Sequence, residues 1–323
     1  MTDDLAERIA NGERRALARA VTLVESTRAD HQAQAAELLE RLRGLNRQAL
    51  RIGLSGTPGV GKSTFIEAFG MALVKAGLRV AVLAVDPSSA RSGGSILGDK
   101  TRMDLLSREP GAFIRPSPSS AALGGVARRT REAIALCEAA NFDVVLIETV
   151  GVGQSETMVA QMCDLFVLLL APAGGDELQG VKRGIMEMAD LILINKADGD
   201  LKATATRTVA DYAGALRLLR KRPQDPEGFP KALAVSAVEG TGLEQAWDEM
   251  QTLATWRRDT GHWDRTRADQ AAHWFEYEVR EGLLARLRED EDVKSAMAEM
   301  AHAVAQGQAT PTAAARTILE RLA

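Results

Sequence analysis

The chain has 323 residues, with 40 lysines and arginines against 44 aspartates and glutamates and a formal net charge of −4. That balance excludes the basic footprint of a nucleic-acid binder, and 46% hydrophobic with 26% charged residues excludes a chain disordered as a whole. The longest apolar run, Leu165 to Pro172, is far short of the roughly 20 residues that cross a bilayer, and Met1-Thr2-Asp3-Asp4 opens acidic where a signal peptide needs a basic region; a cytoplasmic protein with no membrane partner is expected.

Residues 1–49 carry apolar positions at three- and four-residue spacing, among them Leu5, Ile9, Leu17, Val21 and Val24. Two helices are predicted, separated near Ser26 to His31, the second carrying Ala35, Leu38, Leu39 and Leu42 and ending near Gly44. They form an N-terminal helical extension. From residue 50 to 256 short apolar runs alternate with Gly-rich loops and helical stretches. The predicted strands are Leu50 to Ser55, Val80 to Val85, Val144 to Ile147, Leu165 to Leu170, Leu191 to Asn195 and Ala232 to Val235. Runs that are apolar on both faces and alternate with helices imply an α/β domain with a mainly parallel sheet. Cys137 and Cys163 belong to no C-x-x-C pair and read as small buried hydrophobes. Pro223 to Pro230 reads as an exposed loop.

Beyond Gly242 the strand signal stops, and Leu243 to Trp256, Ala268 to Arg288 and Ala313 to Leu322 read as helices. Residues 257–323 then form a C-terminal helical arm. Six of the 13 aromatic residues (Trp247, Trp256, Trp263, Trp274, Phe275 and Tyr277) fall in this part of the chain. Either a small helical core or a subunit interface accounts for them.

Gly56-Thr57-Pro58-Gly59-Val60-Gly61-Lys62-Ser63-Thr64 contains G-x-x-x-x-G-K-[ST] between a predicted strand and a predicted helix, the context of a phosphate-binding loop. Glycines let backbone N–H groups turn towards the phosphates, and the helix presents its positive end. Lys62 is expected at the β- and γ-phosphates and Ser63 on Mg²⁺. Asn195-Lys196-Ala197-Asp198 follows the strand ending in Ile194. The Asp198 carboxylate can accept from guanine N1–H and the 2-amino group together, a donor pair that adenine lacks. Asn195 supports the loop or meets the base edge, and the stem of Lys196 lies along the purine. Ser236-Ala237-Val238 comes after the next strand, where backbone N–H groups close over guanine O6.

Glu148-Thr149-Val150-Gly151 stands where most GTPases carry Asp-x-x-Gly; Glu148 can reach the metal directly or through water, and the Gly151 N–H can meet the γ-phosphate. Asp86 ends the second strand and Asp99 lies in the Gly-rich stretch after it. Each can be a metal ligand or position the attacking water. Gln154 can orient that water and Lys182 can offset transition-state charge. The cofactor set is Mg²⁺ with GTP or GDP, with no tightly bound organic cofactor.

The runs Ser55 to Thr64, Val85 to Ser89, Gly98-Asp-Lys-Thr-Arg-Met103, Glu148 to Glu156 and Asn195 to Asp198 together resemble the MeaB/ArgK family of P-loop GTPases, in the branch that includes the nickel-insertion GTPases of hydrogenase and urease. The resemblance covers essentially the whole chain. It implies a P-loop GTPase domain flanked by helical extensions, assembled as a homodimer. The implied activity is that of a chaperone for an adenosylcobalamin-dependent acyl-CoA mutase, most often methylmalonyl-CoA mutase, gating cobalamin loading and rescuing the mutase from inactivation. It also implies that Ser63, Asp86, Asp99 and Glu148 make the metal and water site, and that Gly174 to Met188, with Lys182, is a switch responding to the partner. A nickel-type metallochaperone and a kinase of the arginine/ornithine transport type are the alternatives; the first would need a metal-delivery cluster, and His31, His262, His273 and His302 are scattered in sequence.

Overall fold

The computed structural model describes residues 2–85, 103–116, 123–149, 155–172, 183–219 and 222–321. Its strands are β1 (Leu50–Ser55), β2 (Val80–Val85), β3 (Ala112–Arg115), β4 (Val144–Thr149), β5 (Leu165–Leu170), β6 (Leu191–Ile194) and β7 (Lys231–Ala234). They form one sheet in the order β3-β2-β4-β1-β5-β6-β7, parallel at every pairing. The expected α/β class holds. Every residue of β4, β5 and β6 is buried, as a parallel sheet covered on both faces requires. The chain builds one side of β1 with β2 to β4 and then the other with β5 to β7. The reversal places a crevice at the carboxyl ends of β1, β4 and β5, where open α/β sheets bind ligands.

The helices are α1 (Thr2–Ala10), α2 (Arg14–Glu25), α3 (Ala29–Arg43), α4 (Lys62–Lys75), α5 (Asp104–Arg108), α6 (Leu123–Ala139), α7 (Ser155–Ala160), α8 (Arg183–Met188), α9 (Lys202–Arg217), α10 (Leu243–Asp259), α11 (His262–Glu289), α12 (Glu291–Ala305) and α13 (Pro311–Arg321). The N-terminal segment thus holds three helices rather than the expected two. Gly12 takes φ +76° and turns the chain between α1 and α2. Arginines then hold this turn: Arg47 Nη1 donates to the carbonyls of Ala10 and Ala139, each at 2.7 Å, and Arg79 donates to Gly12 O at 3.3 Å and Ala140 O at 2.8 Å. Cations at the carbonyl end of α1 also complement its dipole.

The main core joins Ile52, Leu54, Phe65, Ile66 and Phe69 to Leu243, Ala246, Met250 and Leu253 of α10. Phe65 stacks on Phe69 at 5.3 Å between centroids, and Trp247 meets Phe69 edge-on at 6.0 Å. Trp263 is buried in the same cluster, with the guanidinium groups of Arg258 and Arg267 over its ring. Trp256 and Phe275 are exposed. The aromatic concentration therefore divides: part of it belongs to the core of the sheet domain.

At the amino ends of the strands lies a chain of buried ion pairs. Arg51 meets Glu138 at 2.8 Å, and Arg267 meets Asp164 at 2.7 Å and Glu138 at 3.4 Å. Arg257 reaches Asp190 and Asp225, each at 2.6 Å, and Arg222 reaches Asp225 at 2.8 Å and Asp190 at 3.1 Å. Burial acts to lower the Arg257 pKa, but Asp190 and Asp225 outweigh it and hold it above its ordinary value. Asp164 and Asp190 also accept the backbone N–H groups of Arg51 and Phe166, at 2.8 Å each, so the same carboxylates fix the starts of β1 and β5.

By contacts the chain divides into Met1–Arg267 and Ala268–Ala323, where the sequence places the start of the arm at residue 257. In the second unit α12 packs on α13 through Val293, Ala296 and Ile318, with Leu287 and Met300 alongside. Asp290 caps α12 by accepting from the N–H groups of Asp292 and Val293. Among the described residues no helix is long and apolar enough to cross a membrane.

Candidate nucleotide site

β1 ends at Ser55 and α4 begins at Lys62, so six residues make the entire turn. Two of them have no alternative to glycine. A Cβ on Gly56 would lie 2.3 Å from the Leu169 carbonyl oxygen of β5, and one on Gly61, which caps α4 at φ +89°, would lie 2.8 Å from Asn195 Nδ2. The loop is pressed between the next strand and the base-side loop, with the N-terminus of α4 opening into the crevice. Thr57, Pro58, Gly59 and Thr64 are exposed and Ser63 is half-buried on the first turn of α4.

Lys62 Nζ donates to Gly56 O at 2.6 Å, folding the side chain back over the loop. Burial depresses its pKa, and the carboxylates of Glu148 and Glu156 act against that. Both therefore lie within electrostatic reach of the Lys62 ammonium group. Glu148 is 4% exposed near the end of β4, paired in register with Leu54 of β1 on one side and Ala84 of β2 on the other. Glu156, 2% exposed, is the second residue of α7. The next residue of β4, Thr149, donates to Ser55 Oγ at 3.2 Å, joining the strands that end in the phosphate loop and in Glu148.

On the base side, Asn195 is the first residue after β6 and is buried. Its side-chain amide donates to Val60 O at 2.9 Å, and its oxygen accepts the N–H of Ala237 at 3.2 Å. Lys196, at φ +60°, donates to Gly59 O at 2.6 Å. Ser236 Oγ donates to the Asp198 carboxylate and accepts the Glu239 N–H at 3.0 Å. Val238 is 81% exposed beside them. Asn195, Lys196, Asp198 and Ser236 to Val238 thus meet the phosphate loop in one crevice. Asp86, Asp99, Gly151, Gln154 and Lys182 lie outside the described residues.

Two contacts of the site carry no sequence pattern. Glu67 on α4 accepts the Leu105 N–H at 2.8 Å, and Leu106 sits so close to Gly70 that a Cβ there would be 2.6 Å away. Together they fasten α5 onto the helix behind the phosphate loop. The burial of Glu156 was equally unmarked, because it follows from how α7 packs. Among the described residues no three His, Cys, Asp or Glu side chains converge as a metal cluster.

Comparison with known proteins agrees with this geometry. The family model described as "Methylmalonyl Co-A mutase-associated GTPase MeaB" matches residues 17–292. The Escherichia coli protein named GTPase ArgK is 46% identical over 313 residues, 97% of this chain and 94% of its own. The Mus musculus protein named methylmalonic aciduria type A homolog, mitochondrial, is 48% identical over 328 residues, covering 98% of this chain and 79% of the relative. The crystal structure of an LAO/AO transport system kinase superposes with a TM-score of 0.77 at 39% identity, over 99% of this chain and 97% of that one. With the phosphate loop, the N-K-x-D loop and the S-A loop converging on one crevice, the chain is a P-loop GTPase and belongs to the MeaB family of methylmalonyl Co-A mutase-associated GTPases.

Proposed function

We propose that this chain is a homodimeric GTPase chaperone of an adenosylcobalamin-dependent acyl-CoA mutase, methylmalonyl-CoA mutase, that gates cobalamin loading and protects or reactivates the enzyme. The observation that carries the guanine-nucleotide part is Asn195, whose amide ties the phosphate loop at Val60 to the base loop at Ala237. The partner rests on the family's description.

In this reading the Asp198 carboxylate, oriented by Ser236, accepts from guanine N1–H and the 2-amino group, and the 236–238 backbone lies over O6. Lys62 leaves the Gly56 carbonyl for the β- and γ-phosphates, exchanging a neutral acceptor for charged ones. Mg²⁺ suits the donors present, a hydroxyl on the first turn of α4 and a nearly inaccessible carboxylate at the end of β4. Ser63 and Glu148, with Asp86 and Asp99, would hold it, and it would offset the charge of the β- and γ-phosphate oxygens. Gly151 meets the γ-phosphate, Gln154 orients water, and Lys182 responds to the partner. Slow intrinsic turnover follows, because the site is completed only when a partner supplies or orders the remaining charge. Release of γ-phosphate contacts on hydrolysis then changes the loops that the mutase senses.

Self-association is supported by α11, where Phe275, Val279 and Leu283 are 70%, 48% and 50% exposed at four-residue spacing. An apolar stripe of this kind on a helix is covered most economically by its own copy across a two-fold axis.

The test is GTP turnover with and without purified methylmalonyl-CoA mutase, for the natural chain and Lys182→Ala. Stimulation of the natural chain, blunted in the variant with intrinsic hydrolysis little changed, is expected. No stimulation removes the mutase as partner, and equal stimulation removes Lys182 from the response.

A further inference from the structure

α1, α2 and α3 pack on one another, yet they leave a cavity of about 630 Å³ between them. It is lined by Leu5 of α1, Arg19, Thr22 and Leu23 of α2, and His31 and Gln34 of α3. That volume is in the range of sites that take small organic molecules, and spaces between helices are among the usual places for them. Leu5, 8% exposed, and Leu23 supply an apolar wall. Thr22 is already engaged, donating to Ala18 O at 3.0 Å and accepting from Arg115 Nη2 at 3.4 Å. His31 meets Ser26 Oγ through Nδ1 at 2.9 Å, which leaves Nε2 to an occupant. Among the described residues the side chains of Arg19 and Gln34 have no partner.

The charges around the cavity select what it can hold. Arg8 pairs with Asp4 and Glu13, Arg28 with Asp30, Arg41 with Asp3 and Glu37, and Arg43 with Glu40. Glu25 is taken by Arg115. The carboxylates of these helices are therefore paired, apart from Glu7, and no carboxylate is among the described residues of the lining. Arg19 is the cation there, exposed at the rim, where its planar fork is free to close on the head of an occupant whose body lies inside. A guanidinium matches a carboxylate with two parallel hydrogen bonds, and a single positive charge balances one negative charge rather than the nearly two of a phosphate monoester. An ammonium head would find no charged acceptor. We propose that this cavity binds a small monocarboxylate with an aliphatic chain, its head on Arg19 beside the Gln34 amide and its chain against Leu5 and Leu23. The site is built from residues 2–34 and shares no residue with the nucleotide crevice.

The test is calorimetric titration of the full chain with hexanoate, octanoate, decanoate, octan-1-ol and octylammonium. The three carboxylates should bind saturably at one site, tightening about fourfold per methylene. Octanoate should bind about tenfold or more tightly than the alcohol or the ammonium. Arg19→Gln should weaken octanoate about tenfold and keep the dependence on chain length, whereas Leu23→Asn should flatten that dependence. GDP affinity, read with a fluorescent analogue, should be unchanged in both variants. The proposal is overturned if no carboxylate binds saturably, if octylammonium binds as well as octanoate, or if either variant binds the series as the natural chain does. Should Leu23→Asn not fold, the natural chain and Arg19→Gln decide alone.

Discussion

Asn195 and Val60, 135 positions apart, are joined by a 2.9 Å hydrogen bond from side-chain amide to backbone carbonyl. The same side chain accepts from Ala237, so a single residue spans phosphate loop and base loop. Replacing it by Ala leaves a carbonyl and an N–H without partners in residues 3% and 8% exposed, a loss of about 1–3 kcal/mol. Asn195→Ala should lower both the melting temperature and the affinity for GDP, the latter about tenfold or more. Titration with a fluorescent GDP analogue, paired with a thermal melt, checks this; unchanged GDP affinity would show that the two loops are not coupled through Asn195.

Asp198 bears on specificity rather than on loop geometry. Asp198→Asn should weaken GTP by about two orders of magnitude and favour xanthosine triphosphate, whose 2-oxo group needs a donor. Competition binding with GTP, ATP and xanthosine triphosphate measures it. Equal binding of ATP and GTP by the natural chain would be incompatible with this reading of the base site.

Lys62 gives a kinetic and a pH prediction. Lys62→Ala should abolish hydrolysis, since positive charge is removed where transition-state charge accumulates. Without nucleotide, its pKa is held below the ordinary 10.5 by burial, partly offset by Glu148 and Glu156. The unfolded chain then binds more protons between the lowered pKa and 10.5, so stability contributed by this group rises with pH through that window. Below the window the full penalty of the buried charge remains. The difference between natural chain and Lys62→Met in urea unfolding should shift in favour of the natural chain as pH is raised towards 10.5; a flat difference would contradict the assignment.

Gly53 in the middle of β1 gives a packing prediction. A Cβ there would meet Val159 Cγ1 at 2.8 Å, Cys163 Sγ at 2.9 Å and Phe166 at 3.1 Å, so Gly53→Ala must push back α7, the helix carrying Glu156. A loss of about 1–3 kcal/mol is expected, with weaker nucleotide binding. Gly214, inside α9 with nothing within 4 Å of its added Cβ, is the control: Gly214→Ala should stabilise by about 0.5–1 kcal/mol. Urea unfolding of both variants tests the contrast, and a neutral Gly53→Ala would mean that α7 is not packed against β1 as described.

The arm gives the last prediction. Phe275→Glu with Leu283→Glu, both on exposed positions of α11, should convert a dimer to a monomer while leaving GDP binding intact. Removal of the chain after Arg267, the end of the first compact unit, should do the same. Ending instead at Trp256 would delete Arg257, Trp263 and Arg267, leaving Asp164 without its cation, Asp190 and Asp225 with Arg222 alone and Glu138 with Arg51 alone. Light scattering on each protein decides, and a persistent dimer of the double variant would place the interface elsewhere.

The elements legible from sequence were those whose physics is local or uniform. β1, β2 and β5 run over the predicted residues; in β2 and β5 a strand buried on both faces is an unbroken apolar run, and β1 is marked by the phosphate loop that follows it. β3 was missed: only Ala112, Phe113 and Ile114 announce it, at the edge of the sheet, where pairing with β2 defines the strand. α12 was missed because its apolar residues are mostly Ala and Met, and its clearest mark is the Asp290 cap. The nucleotide loops were legible because their spacing encodes chemistry. What could not be read is what bridges them: the partners that the Asn195 side chain finds at Val60 and Ala237, the Thr149 to Ser55 hydrogen bond, and a Trp263 that closes the core of the sheet instead of serving the arm.

The buried ion pairs carry a consequence for synthesis order. Asp190 meets Arg257 across 67 positions, and Asp164 meets Arg267 across 103. All seven strands have been synthesised before either arginine is made. Until then Asp164 has no side-chain cation to offset its burial, and Asp190 has only Arg222. The charges at the amino edge of the sheet are only partly paired on a partial chain, and a ribosome stalled before residue 267 should hold a more protease-sensitive intermediate than the full chain. Completion of the charge network at the end of the sheet opposite the nucleotide site thereby waits for the residues that lead into the arm.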